Sequence, residues 1–229
     1  MFKRLFDIFS SACGLIILAP VLIICMVLLR FSGEGEIFFL QERMGYKNEP
    51  FNITKFATML KSAAIMKDGD YTVQNDPRVL PVGKFLRKSK INELMQLWDV
   101  FRGKMSLVGP RPQILRVHDM YPPEFDIVLD KVRPGVTGVG SIVFRDEERL
   151  LTEAVDRDRC FKTEIVPYKA ALEIWYAENA SLWLDIKLIF LTAWAILNPK
   201  SQGVMNMLPP ELRRDVNTFT GAPENTAAS

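Results

Sequence analysis

The sequence predicts an α-rich α+β protein in which an apolar membrane helix precedes a compact globular domain with interfacial amphipathic helices. Three observations favour this class: an uncharged N-terminal run, apolar residues at helical spacing in two later segments, and only short stretches of strand-like alternation. With 48% hydrophobic residues in a chain of 229, a substantial core can form. We therefore predict a membrane helix over 1–31, a globular domain over 32–200 and a C-terminal extension over 201–229, whose tail from 218 is disordered.

Charge and cysteine content exclude several functional classes. Lysine and arginine total 29 and aspartate and glutamate total 27, which leaves a net charge of +2 and no strong field for nucleic acid. We expect no nucleic-acid partner. The three cysteines form no Cys-x-x-Cys pair, so neither a zinc site nor a closed disulfide set is indicated.

The apolar run from Ser11 to Leu29 carries no charge, and its 19 residues reach roughly 28 Å as a helix, close to the thickness of a bilayer core. No small-x-small cleavage site follows it, which disfavours a secretory signal. Pro20 lies in its middle, where proline removes a backbone donor and kinks a helix. Because basic residues flank both ends, the residues alone support a spanning and a re-entrant helix equally.

The globular part contains several predictable elements. Alternating residues predict strands over 36–41 and 50–56, and a short helix is expected over 58–67, before a turn at 75–78. Ser89 is a suitable N-cap for a helix with an apolar face that ends at Gly103, on which Asp99 would be a surface charge. An extended piece follows over 104–112. Residues 171–197 predict one helix, whose tryptophans suit a membrane interface.

One cluster of residues could bind an anion. Arg87 and Lys88 precede the predicted helix, Glu93 lies in its first turn, and Arg111 stands between two prolines that restrict its backbone. Helix N-termini and arginine bind phosphate, and a carboxylate can hold Mg²⁺ together with substrate phosphates. An ordinary structural explanation also exists, because a glutamate in a first turn stabilises the helix dipole.

His118 is expected to be structural, and residues 146–148 form an acidic turn, with metal binding as an alternative.

A series of sequence blocks carries a family resemblance. In chain order the blocks are Gln41–Gly45, Pro50-Phe51, Lys55-Phe56 with Thr58-Met59, Asp76–Arg78, Gly83–Lys88, Asn92–Leu94 with Gln96-Leu97, Gly103, Met105–Pro112, Arg133–Gly138 and Trp183–Asp185. Together they resemble the bacterial sugar transferase family, the monotopic polyprenyl-phosphate phosphoglycosyl transferases, over roughly residues 2–198. The block Met105-Ser-Leu-Val-Gly-Pro-Arg-Pro112 is the most specific, and the chain is similar to the minimal catalytic form of the family.

The resemblance implies a membrane enzyme. It would transfer a phosphosugar from a UDP-sugar to undecaprenyl phosphate, release UMP, require Mg²⁺ and initiate synthesis of a surface polysaccharide or glycoconjugate. It would lie in the inner (cytoplasmic) membrane of a bacterium with its catalytic domain in the cytoplasm, in contact with membrane lipid, and a homodimer is left open. The family's N-terminal helix is re-entrant, with a break at the position of Pro20.

The resemblance also implies roles for single residues. Glu93 and Asn92 would be catalytic, with Glu93 as the metal ligand, and the phosphates of the substrates would contact Arg111, Arg87, Lys88, Lys55 and Arg78.

Two positions depart from the family pattern. The catalytic pair of the family is Asp-Glu, whereas this chain has Asn92 before Glu93, and Ala57 replaces an arginine. An amide cannot form the acyl phosphate that a carboxylate forms. Glu93 could itself attack, or it could hold Mg²⁺ for direct transfer. A non-catalytic membrane-associated paralogue that binds polyprenyl phosphate or a partner enzyme is the alternative.

Overall fold

The computed structural model describes residues 2–60, 78–198, 201 and 203–222. Its α-helices are α1 (Phe2–Arg30), α2 (Pro81–Lys88), α3 (Gln96–Phe101), α4 (Leu115–His118), α5 (Glu124–Lys131), α6 (Val139–Val143), α7 (Glu147–Glu153), α8 (Arg157–Arg159), α9 (Val166–Asn179), α10 (Leu182–Leu197) and α11 (Gly203–Met207). Its strands are β1 (Phe38–Met44), β2 (Pro50–Phe56), β3 (Ser106–Val108) and β4 (Gly135–Thr137). The α-rich α+β class is confirmed. The helix expected over 58–67 and the turn over 75–78 fall largely outside the described residues.

Helix α1 is long and apolar enough to cross a membrane, and no other helix in the described ranges is. It continues through Pro20 as one helix. Apolar side chains such as Phe9, Ile16 and Ile17 are more than 70% exposed. Its buried residues recur at helical spacing and therefore share one face: Asp7, Ser11, Leu22, Cys25 and Leu29.

The start of α1 is attached to the globular domain by polar contacts. The ammonium group of Lys3 donates to the carbonyl of Val108 at 3.1 Å and forms an ion pair with the buried carboxylate of Asp185. Asp7, which is 2% exposed, accepts hydrogen bonds from the Ser106 hydroxyl at 3.1 Å and the Leu107 amide at 3.0 Å. These contacts are in a largely buried environment, where each unmade hydrogen bond would be unfavourable.

The end of α1 contacts the same domain through apolar side chains. Leu22, Cys25 and Leu29 form a buried cluster with Phe56 of β2 and Leu86 of α2. Both ends of the helix therefore pack on one globular unit, while much of the apolar surface of the helix remains exposed.

Two small sheets position the loops of the domain. Strands β1 and β2 pair antiparallel, from Phe38 opposite Phe56 to Met44 opposite Pro50. The prediction for 50–56 is confirmed, and the first strand begins and ends later than 36–41. Strand β3 lies within the predicted extended piece and pairs in parallel with β4, which the sequence did not indicate.

The prediction that a helix begins at Ser89 is wrong. Ser89 is the C-cap of α2, and its hydroxyl donates to the carbonyl of Phe85 at 2.8 Å, so it completes the preceding helix instead of capping a new one. Lys90 then adopts a left-handed conformation with φ 59°, typical of a chain reversal after a helix. A 3₁₀ turn over Ile91–Glu93 follows, and α3 begins only at Gln96.

The prediction of a single helix over 171–197 is also wrong, because two helices share this segment. Helix α9 ends at Asn179, and α10 begins at Leu182, where the Ser181 side chain accepts a hydrogen bond from the Leu184 amide at 3.2 Å. A serine N-cap therefore interrupts the apolar periodicity.

The main hydrophobic core gathers around α5, α9 and α10 and extends into the C-terminal extension. Val204 and Leu208 are buried in it. Phe219, which we expected in a disordered tail, packs with its ring 6.2 Å from Phe144 and 5.9 Å from Tyr168. The described part of the extension is thus integral to the globular domain.

We predict that Asp7→Ala destabilises the protein, because the buried Ser106 hydroxyl and Leu107 amide lose their acceptor. Each unsatisfied group costs about 1–3 kcal/mol. Thermal unfolding in detergent would measure the loss of stability. Asp7→Asn keeps one acceptor oxygen and should therefore be less destabilised than Asp7→Ala. Equal destabilisation by both variants would show that the charge of Asp7, and not its hydrogen bonds, matters.

Candidate active site

An ion pair between Glu93 and Arg111 forms the centre of the site. Glu93 ends the 3₁₀ turn Ile91–Glu93, and Arg111 lies in the loop that follows β3. The two guanidinium nitrogens of Arg111 reach the two carboxylate oxygens of Glu93 at 2.6 and 3.3 Å. This bidentate geometry is the strongest form of such a pair. The structure thus brings together two residues that the sequence analysis placed in one cluster.

Two further cations from the β1–β2 hairpin surround this pair. The Lys55 ammonium lies 3.6 Å from Glu93 Oε1. Arg43 donates to the carbonyl of Pro112 at 3.1 Å, which ties it to the loop that carries Arg111. Arg43, Lys55 and Arg111 line one small pocket together with Ile53, Gln96 and Pro112.

Burial and neighbouring charges together shift the pKa values of the charged groups in this site. Burial, together with the charges of Arg43, Arg111 and Arg87, lowers the pKa of Lys55 to about 7, although Glu93 opposes the shift. Burial and the charge of Arg111 lower the pKa of Arg43 to about 10. Burial alone would raise the pKa of Glu93, but the charges of Arg111 and Lys55 hold it well below its usual range. One carboxylate thus faces three cations, an arrangement that favours a phosphate-bearing ligand.

Asp99 fixes the helix next to this pocket. It is 1% exposed and accepts hydrogen bonds from the Thr54 amide at 2.8 Å and the Thr54 hydroxyl at 3.2 Å. The prediction of a surface charge is wrong. Burial raises the pKa of Asp99 although the bonds from Thr54 oppose the shift. Through these bonds α3 is attached to β2 one residue before Lys55.

Two buried amide groups near the site lack partners in the part of the chain that the structure describes. Asn92 is 7% exposed and its Oδ1 atom accepts no hydrogen bond, while Gln96, at 1%, has an unpartnered Nε2 atom. Gln96 and Arg43 were not predicted as site residues. Both could have been found, since Arg43 lies in the Gln41–Gly45 block and Gln96 in the Gln96-Leu97 block.

The remaining predicted binding residues are less closely associated with the pair. Arg87 contacts Glu148 at 2.5 Å, although its charge still acts on Lys55. Lys88 is exposed at the end of α2. Arg78 follows the undescribed segment, and its carbonyl accepts a hydrogen bond from the Leu60 amide at 3.2 Å.

The acidic turn at 146–148 is occupied by ion pairs. Asp146 contacts Arg145 at 2.8 Å and Glu147 contacts Lys169 at 2.6 Å. Within the described ranges no group of three metal-binding side chains occurs, there or elsewhere. His118 lies 3.0 Å from Asp126 and its ring packs against Phe125, a structural environment.

A small pocket lined by three cations, two of which contact one carboxylate, lies on a domain attached to an exposed apolar helix. This combination is typical of an enzyme that handles a phosphorylated substrate at a membrane. Comparison of the sequence with protein families agrees with this class. The chain belongs to the bacterial sugar transferase family, whose model matches residues 1–199.

Several characterised relatives share most of this chain. It is 34% identical to the undecaprenyl-phosphate glucose phosphotransferase of Komagataeibacter xylinus over 83% of the chain and 35% of that protein. It is 34% identical to the UDP-glucose:undecaprenyl-phosphate glucose-1-phosphate transferase of Klebsiella pneumoniae over 85% of the chain and 40% of that protein. It thus spans well under half of the length of these relatives. The exopolysaccharide production protein ExoY of Rhizobium meliloti is 30% identical, with 86% of this chain and 85% of ExoY covered.

We predict that the affinity of this site for a nucleoside diphosphate ester falls as the pH rises through about 7. Burial and neighbouring cations lower the pKa of Lys55 to about 7, so its positive charge is lost in this range. Calorimetric titrations between pH 6 and 9 would measure the change, because the diphosphate of the ligand does not titrate there. Lys55→Arg should remove this dependence, since arginine stays charged. An unchanged dependence in that variant would assign the titration to another group.

Proposed function

We propose that this chain transfers a phosphosugar from a UDP-sugar to undecaprenyl phosphate at a membrane surface and releases UMP, as the initiating step of surface polysaccharide synthesis. The observation that carries this proposal is the Glu93–Arg111 pair surrounded by Lys55 and Arg43. The names of the relatives support it, since two of them describe glucose phosphate transfer to undecaprenyl phosphate.

The cations have a direct chemical use in such a reaction. An oxygen of the lipid phosphate attacks the phosphorus that carries the sugar, and the bond from that phosphorus to the UMP oxygen breaks. Negative charge then increases on the leaving UMP. Preorganised cations in a partly desolvated pocket stabilise this charge, and loss of one such donor typically reduces turnover about 10²–10³-fold. Lys55, Arg43 and Arg111 are the groups that we assign to this role.

The residues at the centre favour transfer in one step. The amide of Asn92 is a poor nucleophile toward phosphorus. Both carboxylate oxygens of Glu93 are held by Arg111, and Lys55 contacts one of them. The two cations lower the pKa of Glu93 and so also make its carboxylate a weaker nucleophile. We therefore propose that the lipid phosphate attacks the UDP-sugar directly, without an enzyme-bound phosphosugar.

The oxygen donors of the site fit Mg²⁺. Glu93 supplies one carboxylate, and the Oδ1 atom of Asn92 is a buried oxygen without a partner in the described structure. Mg²⁺ typically uses one or two protein oxygens and completes its shell with substrate phosphates and water. We propose that Glu93 and Asn92 would hold the ion, which would neutralise charge on the diphosphate.

We also propose that α1 is re-entrant and that the domain lies on the cytoplasmic face of the inner membrane. In a straight span the two ends of α1 would be on opposite faces. The Lys3–Asp185 pair at one end and the Leu29 cluster at the other both belong to one globular unit. A span would require this domain, with its charged groups, to reach through the bilayer, which is unfavourable. A bend at Pro20 allows both ends to remain on one face.

Labelling of introduced cysteines would test this topology. With Cys13, Cys25 and Cys160 replaced, cysteines placed beside residue 2 and beside residue 222 should both react with an impermeant reagent from the cytoplasmic face of inverted vesicles. Pro20→Leu should shift part of the population to a spanning form, because a straight apolar helix of this length can cross the bilayer. Labelling of the two sites from opposite faces in the unmodified chain would contradict the re-entrant topology.

Turnover can be measured as UMP release from a panel of UDP-sugars with Mg²⁺ and undecaprenyl phosphate. We expect release with at least one donor, and Glu93→Gln should abolish it because the cations lose their counter-charge and the metal its carboxylate. Arg111→Ala should reduce it about 10²–10³-fold. Failure of the whole panel would contradict the proposed function.

Isotope exchange distinguishes direct transfer from a covalent mechanism. Without lipid acceptor, labelled UMP should not enter the UDP-sugar in the unmodified enzyme, because UMP leaves only when the lipid attacks. Asn92→Asp introduces a carboxylate and is the matched comparison, for which we expect exchange. Exchange by the unmodified enzyme would contradict direct transfer. Lipid phosphate binding without turnover, with turnover gained in Asn92→Asp, would instead support the non-catalytic alternative, which Asn92 motivates.

A further inference from the structure

A second cavity lies at the start of α1, apart from the candidate active site. Its volume is about 200 Å³, and its walls come from α1, β3 and the end of α5. The polar residues of these walls are Lys3, Arg4, Asp7, Ser106, Lys131 and Arg133. None of them lines the pocket around Arg111, and the proposed transfer reaction makes no use of this cavity.

Arg4 is held in the wall by neutral acceptors. Its Nη1 and Nη2 atoms donate to the carbonyls of Val100 and Phe101 at 2.6 and 2.8 Å. In the part of the chain that the structure describes, no carboxylate forms an ion pair with Arg4. A carbonyl positions a guanidinium group without neutralising it, and a guanidinium has five N–H donors. The charge and the remaining donors of Arg4 are therefore available to an anion.

Arg133 is held in the same way on the other side of Gly103. Its Nε atom donates to the Gly103 carbonyl at 3.0 Å, and its guanidinium carbon lies 4.7 Å from the centre of the Tyr46 ring. A Cβ atom at Gly103 would lie 3.1 Å from Nη2 of Arg4, so the two guanidinium groups flank one residue. Lys131 is exposed and adds a third cation, which forms no ion pair within the described ranges.

The acidic residues nearby do not balance these three cations. Lys3 is already paired with Asp185, so this pair adds no net charge to the cavity. Asp7 is 2% exposed, and its Oδ1 atom accepts hydrogen bonds from the Ser106 hydroxyl and the Leu107 amide. One shielded carboxylate thus stands against three cations without carboxylate partners. Such an excess of cations favours an anionic ligand.

The size and the surroundings of the cavity limit what this ligand can be. A cavity of 200 Å³ far exceeds the roughly 30 Å³ that one water occupies in the liquid, so a phosphate group fits. It is smaller than the pockets of about 300–1,000 Å³ that typically enclose a small molecule of nucleotide size. Phe2, Leu5 and Phe9, on the same turns of α1, are 56–75% exposed, which is stable among lipid acyl chains.

We propose that this cavity binds the phosphate of an anionic phospholipid head group, with Arg4, Lys131 and Arg133 as its ligands. The inference rests only on the proposed placement of α1 at a membrane, and it goes beyond the transfer reaction. Phosphatidylglycerol is favoured over phosphatidylcholine, because the quaternary ammonium group of the latter would be repelled by the same cations. A lipid bound here would hold the start of α1 at the depth of the head groups.

Lipid binding to the full chain in a neutral detergent tests this inference. Thermophoresis would compare dioctanoyl phosphatidylglycerol with dioctanoyl phosphatidylcholine, and we expect about 10-fold tighter binding of the former. Lys131→Gln should weaken binding of phosphatidylglycerol about 5-fold, and Lys131→Glu about 25-fold, since each unit of charge near a lipid phosphate has a similar effect. Lys162→Glu makes the same change at an exposed lysine outside the cavity and should alter the affinity less than about 2-fold.

Each other outcome would overturn the inference. Equal affinity for the two phospholipids, or equal affinity of the unmodified chain and Lys131→Glu, would show that the cavity selects no anionic head group. If Lys131→Glu does not fold, Lys131→Gln decides. Displacement of the lipid by inorganic phosphate at a similar concentration would assign the cavity to a free anion.

Two further measurements separate this site from the transfer reaction. Undecaprenyl phosphate is the comparison lipid, and its binding in the cavity without binding of phosphatidylglycerol would assign the cavity to the acceptor substrate and overturn the inference. Failure of the UDP-sugar panel to release UMP would contradict the proposed function alone, because the lipid affinity is measured without turnover.

Discussion

The bidentate contact between Arg111 and Glu93 is the interaction on which the site depends. Three buried or half-buried cations would repel one another in a small pocket, and the carboxylate between them makes their proximity tolerable. The elements that meet here come from distant parts of the chain: a hairpin, a 3₁₀ turn and a proline-bounded loop. Removing the carboxylate would leave the cations uncompensated, which is costly in a desolvated environment.

A second constraint comes from the polar start of α1. Apolar contacts alone do not fix the orientation of a helix against a globular domain. Lys3 and Asp7 fix the orientation of α1, because each forms hydrogen bonds with specific partners on β3, α9 and α10. The Tyr176 hydroxyl completes this network with a bond of 2.6 Å to Asp185. The membrane anchor and the globular domain are therefore one packed body and not two units joined by a linker.

How much of this could be read from the sequence differs between elements. The apolar helix, the strand over 50–56 and the pairing of Glu93 with Arg111 follow from composition, alternation and motif spacing. The prediction for the region after Ser89 failed because a serine can end a preceding helix as well as begin a new one. The burial around α3 was also misjudged: Asp99 is buried, whereas Trp98 and Phe101 are about 40% exposed. Near a membrane an exposed apolar side chain is stable. The spacing of apolar residues therefore identifies an apolar helix face, but it does not show whether that face is buried in the core or exposed.

The C-terminal extension has a practical consequence for protein production. The family match ends at residue 199, and that limit is a natural choice for a recombinant fragment. Yet Val204 and Leu208 are 4% and 1% exposed within the main core. Removing them would lose about 1.5–3 kcal/mol of apolar burial per side chain. It would also expose apolar surface on α6 and α10, which α11 contacts. A fragment cut at 199 would thus tend to aggregate, and an expression boundary beyond Ala222 suits the fold better.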